Sequence, residues 1–188
     1  MSADDDLDFT KPSPPAPPPP PEKLASARQE SSKAQPQLAK SGFYVAMARN
    51  SAGRVQPRDG VRHNILVVED DVTLLKLVGE VLAAAKFATR FARNRTEINA
   101  EFNKPPLPDL VLLDVRLPDA DGFNILEKVR GNQKLVKMPV IMMTGRAEPA
   151  DIARGLSLGA DGYVTKPFKI SGLISAINTV LGLDQPKS

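Results

Sequence analysis

The sequence predicts an α/β fold: a doubly wound parallel sheet carrying a proline-rich extension at its N-terminus. Three observations predict it. From Asn64 onward, short apolar runs alternate with stretches of helical periodicity, the pattern of strands covered on both faces by helices. The run Leu110 to Leu113 is uniformly apolar, as a central parallel strand is. Acids, a hydroxyl and a lysine fall just past the ends of the apolar runs, where a parallel sheet gathers its functional groups. A length of 188 residues suits one substantial core with a tail.

Residues 1–62 read as a disordered proline-rich tail and linker, and residues 63–188 as the folded domain. The run from Pro12 to Pro21 is almost all proline; with φ fixed and no N–H to donate, it favours an extended polyproline II spacer. A tether is the expected role, with a docking peptide for an aromatic-lined groove as the alternative. Phe43, Tyr44, Val45 and Met47 form a short apolar segment that docks weakly at most, before the breakers Gly53, Pro57 and Gly60. His63, the only histidine, stands at the junction and is given no role.

Ile65 to Val68 reads as the first strand, and Asp71 caps a helix carrying Leu74, Leu77, Val78, Val81 and Leu82. A weaker strand at Ala88 to Phe91 precedes a polar helix from Thr96 to Phe102, which Pro105, Pro106 and Pro108 end. After the third strand, Asp121 and Gly122 lead into a helix bearing Phe123, Leu126 and Val129. Val140 to Met143 is the fourth strand, with Met142 and Met143 as core filler, followed by a helix from about Glu148 to Leu158 that Gly155 weakens and Gly159 ends. Tyr163 to Thr165 is a short fifth strand, and Ile170 to Leu181 a closing amphipathic helix with Leu173, Ile174, Ile177, Val180 and Leu181. Five such units make a flavodoxin-like (βα)5 sheet of strand order 2-1-3-4-5.

Composition narrows the function. Hydrophobic residues make up 41% and charged residues 25%, ordinary for a globular protein. No apolar run reaches the roughly 18 residues of a spanning helix, and the N-terminus opens on Asp4, Asp5 and Asp6 rather than a basic leader. A cytoplasmic location with no membrane contact is expected. Cysteine is absent, so disulfides, thiolate metal sites and cysteine nucleophiles are excluded. The net charge of +3 comes without a basic run, and direct nucleic-acid binding is not expected.

The strand ends carry the chemistry. Glu69 and Asp70 follow the first strand, Asp114 the third, Thr144 the fourth and Lys166 the fifth. Gathered carboxylates repel unless a cation neutralises them, and an all-oxygen donor set favours Mg²⁺. Lys166 offers a fixed charge and Thr144 a hydroxyl to phosphate oxygens. Asp114 is then placed as a phosphoryl acceptor in an in-line transfer that depends on positioning and electrostatics. Each residue also has a structural reading as a helix cap or turn former; their joint occurrence at strand ends favours chemistry.

The stretches ILVVEDD, DLVLLDVRLPDADGF, VIMMTG and GADGYVTKPF, in this order and spacing, resemble the CheY-like receiver domain of bacterial two-component response regulators over residues 64–183. The resemblance implies that Glu69 and Asp70 hold the metal with Asp114, that Arg116 adds its backbone carbonyl, and that Thr144 and Lys166 bind the phosphoryl group. It implies a cis bond between Lys166 and Pro167, phosphate space at Gly145, and a switch pair, Thr144 and Tyr163, that reshapes the face of the fourth helix, fifth strand and fifth helix. Arg116 and Arg146 flank the entrance at positions that vary in the family, and are expected to slow or reshape phosphate loss. The implied partners are a histidine kinase or histidine phosphotransferase, a downstream protein on that face, and a second copy upon phosphorylation. A stand-alone relay, not an enzyme, is the expected function. The alternatives are a phosphorylation-independent binding module, a DNA-binding regulator, which lacks a recognition segment here, and a hydrolase, which lacks a base and substrate pocket.

Overall fold

A computed structural model describes residues 8–11, 18–50, 53–145 and 148–183. In chain order the elements are α1 (Pro21–Ser41), β1 (Phe43–Val45), α2 (Met47–Asn50), β2 (Asn64–Val68), α3 (Val72–Ala84), β3 (Ala88–Ala92), α4 (Arg95–Phe102), β4 (Leu110–Asp114), α5 (Gly122–Gly131), β5 (Val140–Thr144), α6 (Pro149–Leu158), β6 (Gly162–Thr165) and α7 (Ile170–Leu181). The chain divides into two compact units, residues 1–16 with 56–138 and residues 17–55 with 139–188.

The first unit is built on β2, which pairs in parallel with β3 on one side and β4 on the other. Ile65 to Val68 and the whole of β4 are buried, as strands covered on both faces must be. Asp71 caps α3 as expected, its carboxylate accepting from the Thr73 and Leu74 N–H groups at 2.8 and 3.0 Å. The buried stripe of α3 is Leu75, Val78 and Leu82, while Leu77 is 48% exposed and Leu74 and Val81 are half-buried. The expected stripe was therefore set on a neighbouring face. The helix is apolar on several sides, so periodicity alone does not select the buried one.

Asp109, 1% exposed, ties the approach to β2 into this unit: its carboxylate accepts from the Arg58 and Asn64 N–H groups at 2.9 and 2.8 Å. Phe9 is fully buried, its ring stacked on Phe102 with centroids 4.8 Å apart. The Phe9 N–H donates to Asn99 Oδ1 at 3.1 Å, and the Lys128 ammonium donates to the Asp8 and Lys11 carbonyls at 2.8 and 2.6 Å.

In the second unit β5 and β6 pair in parallel, with Ile141 opposite Gly162 and Thr144 opposite Thr165. Helix α6 ends at Gly159, whose φ of 95° is the left-handed cap that glycine adopts without strain. Helix α7 buries Leu173, Ala176, Ile177, Val180 and Leu181. Strand β1 adds to β6 in antiparallel sense, Tyr44 opposite Tyr163, and α1 lies against α6. Within their own units, β3-β2-β4 and β5-β6 reproduce the 2-1-3 and 4-5 runs of the expected order.

Residues 21–45 differ from the disordered tail and linker expected through residue 62, since they form a helix and a strand. The reason lies in what α1 buries, which is Ala27, Ser31, Ala34 and Leu38. Three small residues and one leucine make no apolar stripe legible in sequence, and Pro36 inside the helix argues locally against one. The order comes from tertiary contact instead. Most of the run from Pro12 to Pro21 lies outside the described residues.

Candidate functional site

Strands β2 and β4 run side by side with Val68 opposite Leu113, so the residues that follow them arrive together. One carboxylate oxygen each from Glu69, Asp70 and Asp114 lies within 4.8 Å of the others. Glu69 and Asp114 are buried, at 2% and 5% exposure, and Asp70 is exposed. Carboxylates this close repel, and burial deprives two of them of solvent. A hard divalent cation relieves both costs, and a donor set of oxygens alone fits the Mg²⁺ expected from the sequence.

Backbone bonds hold the set in place. The Glu69 N–H donates to the Ala92 carbonyl at 3.0 Å, continuing the β2–β3 ladder past the strand end. Asp114 Oδ1 accepts the Arg116 N–H at 3.2 Å. The chain then turns tightly: Arg116 bridges Asp121, and the Gly122 N–H donates to the Val115 carbonyl at 2.9 Å. A Cβ at Gly122 would fall 2.2 Å from the Asp114 carbonyl oxygen and 2.9 Å from Val115 Cα. Only glycine lets α5 begin against the aspartate. Asp121 and Gly122 are expected from the sequence as a helix start; the support that Gly122 gives Asp114 is not, although the Asp-Gly pair is its signal. Arg116, expected to offer its carbonyl, is exposed and stands in this turn.

In the second unit, Thr144 ends β5 and Lys166 follows β6, and the Lys166 N–H donates to the Thr144 carbonyl at 2.7 Å. Thr144 is 6% exposed and Lys166 half-buried. The Lys166–Pro167 bond is cis, as the resemblance implied. Beyond its chain neighbours, no described residue comes within 4 Å of a Cβ built on Gly145. Tyr163 is 1% exposed, and its hydroxyl donates to the Asp151 and Ile152 carbonyls of α6 at 3.2 and 3.4 Å. Burial, with the Asp151 charge adding, pushes its phenol well above the ordinary range. His63 is buried edge-on to Phe87, and its carbonyl accepts the Ala88 N–H. Arg146 lies outside the described residues.

The response regulator receiver domain family matches residues 65–178. The chain belongs to that family. Its receiver is 36% identical over 118 residues to the transcriptional regulatory protein GltR of Pseudomonas aeruginosa, a match covering 63% of this chain and 48% of that one. The chain spans about half the length of such curated relatives, as with the phosphate regulon transcriptional regulatory protein PhoB of Escherichia coli, at 37% identity and 51% of its length. Among solved structures, the receiver is similar to the chemotaxis protein CheY4 of Vibrio cholerae, with a TM-score of 0.61 and 26% identity, covering 64% of this chain and 100% of that one. The fold is thus the flavodoxin-like α/β receiver fold with a parallel sheet. Among the described residues, no helix is long and apolar enough to cross a membrane.

Proposed function

We propose that this chain is a phosphoreceiver in which Asp114 takes a phosphoryl group from a phosphohistidine of a histidine kinase or histidine phosphotransferase. The observation that carries the reading is the cluster of Glu69, Asp70 and Asp114 within 4.8 Å at the ends of β2 and β4. An Asp114 carboxylate oxygen attacks phosphorus, the P–N bond breaks, and its electron pair returns to the imidazole nitrogen, which takes a proton. Water later cleaves the P–O bond of the acyl phosphate and restores the carboxylate.

Glu69, Asp70 and Asp114 would hold Mg²⁺, with the Arg116 carbonyl as a further ligand. Bound there, the cation supplies charge neutralisation at the phosphoryl oxygens. Thr144 donates a hydroxyl hydrogen bond to a phosphoryl oxygen, Lys166 supplies a fixed positive charge, and Tyr163 with Thr144 forms the switch; these roles follow from the family resemblance. The chain is a phosphorylated signalling component and not an enzyme for an external substrate. It acts in the cytoplasm as a relay, through protein contacts on the face of α6, β6 and α7.

Incubation of the full chain with acetyl phosphate and Mg²⁺, followed by intact mass, tests the reading. A gain of one phosphoryl group that is absent without Mg²⁺ and absent in Asp114→Asn supports it. No gain in the unaltered chain favours the phosphorylation-independent binding module instead.

A further inference from the structure

The face of α6, β6 and α7 is covered by this chain's own residues. Strand β1 pairs with β6, Phe43 opposite Val164, Tyr44 opposite Tyr163 and Val45 opposite Gly162. The ladder is closed at its ends by the Thr165 N–H donating to the Gly42 carbonyl at 2.9 Å and the Ala46 N–H donating to the Asp161 carbonyl at 2.8 Å. Helix α1 lies on α6, burying Ala27, Ser31, Ala34 and Leu38. Toward α7, Arg49 Nε donates to the Val180 carbonyl at 2.6 Å. Glu30 fastens the segment to itself, one carboxylate oxygen accepting from the Tyr44 hydroxyl at 2.9 Å and the Met47 N–H at 2.7 Å.

The receiver surface is cut to fit this segment's backbone. A Cβ on Gly162 of β6 would meet the Tyr44 carbonyl oxygen at 2.8 Å, and one on Gly172 of α7 would meet the Ser41 carbonyl oxygen at 2.9 Å. Both are closer than side chains tolerate, so two glycines of the receiver stand where the segment comes nearest. The segment itself is a poor independent folder: α1 carries Pro36 in its interior and buries mostly small residues, and such a helix is marginal in water.

We propose that residues 21–50 are an intramolecular strap that occupies the α6–β6–α7 face by strand addition, so that a downstream protein reaches this face only by displacing it. The regulatory meaning rests on the phosphoreceiver reading, which assigns the face to partners. The strap also adjoins the phosphoryl-binding end of the unit: the Thr165 N–H bonds the strap while the next N–H, that of Lys166, bonds Thr144. Movement of the β5 and β6 ends is therefore felt one peptide away by the strap, which gives the two events a shared element and hence a reciprocal coupling.

The test uses the full chain with no phosphodonor, so its result is independent of whether Asp114 accepts a phosphoryl group. Ala34→Arg combined with Val45→Pro opens the strap while leaving α6, β6 and α7 unaltered. A fluorescein-labelled synthetic peptide of residues 21–50, followed by anisotropy, is expected to bind this variant at least about tenfold more tightly than the unaltered chain, whose face is already filled. Equal binding to both, or none to the opened variant while its β5 amides keep their exchange protection, overturns the proposal. Gly172→Ala attacks from the receiver side, since its methyl meets Ser41 while α7 gains a better helix former. Exchange of the Ala46 amide should rise at least about tenfold in this variant with β5 unchanged; an unaltered Ala46 amide overturns the proposal as well.

Discussion

Replacing Gly122 by alanine tests whether the placement of Asp114 depends on its supporting turn. An alanine Cβ would stand 2.2 Å from the Asp114 carbonyl oxygen and 3.0 Å from its carbonyl carbon, and both are backbone atoms that cannot rotate aside. Either the start of α5 or the end of β4 must retreat by roughly 1 Å, and overfilling of this kind costs about 1–3 kcal/mol. The gain from alanine in a helix, about 1 kcal/mol, does not offset the upper part of that range. A shift of roughly 1 Å also displaces the Asp114 carboxylate from Glu69 and Asp70, and misplacement of that size costs on the order of 100-fold in rate. Urea unfolding followed by circular dichroism should show a net loss of up to about 2 kcal/mol, and phosphorylation timed by intact mass should slow on the order of 100-fold. Gly131→Ala is the control: beyond its chain neighbours and its own helix backbone, no described residue comes within 4 Å of its Cβ, and it should gain about 0.4–1 kcal/mol. Equal stability and equal phosphorylation rate in Gly122→Ala and the unaltered protein would show that Asp114 does not depend on this turn.

Three other outcomes follow from the same geometry. Asp109→Ala strips the acceptor from the Arg58 and Asn64 N–H groups and should cost about 3 kcal/mol in urea unfolding; a change within about 0.5 kcal/mol contradicts that. Phe9→Ala removes a fully buried ring from Phe102 at about 3 kcal/mol of docking, so exchange of the Phe9 amide should accelerate on the order of 100-fold, and an unchanged rate argues against a docked residue. Tyr44, through burial and its bond to Glu30, and Tyr163, through burial, both titrate above the ordinary 10.0. The unfolded chain loses these protons first as pH rises, so their stabilising contribution is complete below about pH 10 and declines above it; a urea midpoint unchanged up to about pH 11 contradicts the assignment.

The receiver half of the fold was legible because each element announced itself locally. The runs at Ile65, Leu110 and Val140 could only be buried strands, and Asp71 and Gly159 cap α3 and α6 as read. The acidic cluster was legible for the same reason, since residues placed just after parallel strands converge whatever the details between them. What escaped was structure whose signal is not local. Helix α1 buries Ala27, Ser31 and Ala34, residues that fit a neighbouring helix closely but carry no hydrophobic period. Strand β1, with Phe43, Tyr44 and Val45, has only three residues; its apolar character was visible, but its register on β6 was not. The buried face of α3 escaped for the opposite reason, since too many of its sides are apolar.

If the Asp114 carboxylate becomes an acyl phosphate, reductive trapping will mark it. The full chain, phosphorylated with acetyl phosphate and Mg²⁺, is treated with borohydride, which reduces an aspartyl phosphate to homoserine, and peptides are sequenced by mass spectrometry. Homoserine at position 114, and at neither Asp70 nor Asp71, is the predicted result. An unreduced Asp114 in protein that has gained a phosphoryl group, or a trapped residue elsewhere, would contradict it.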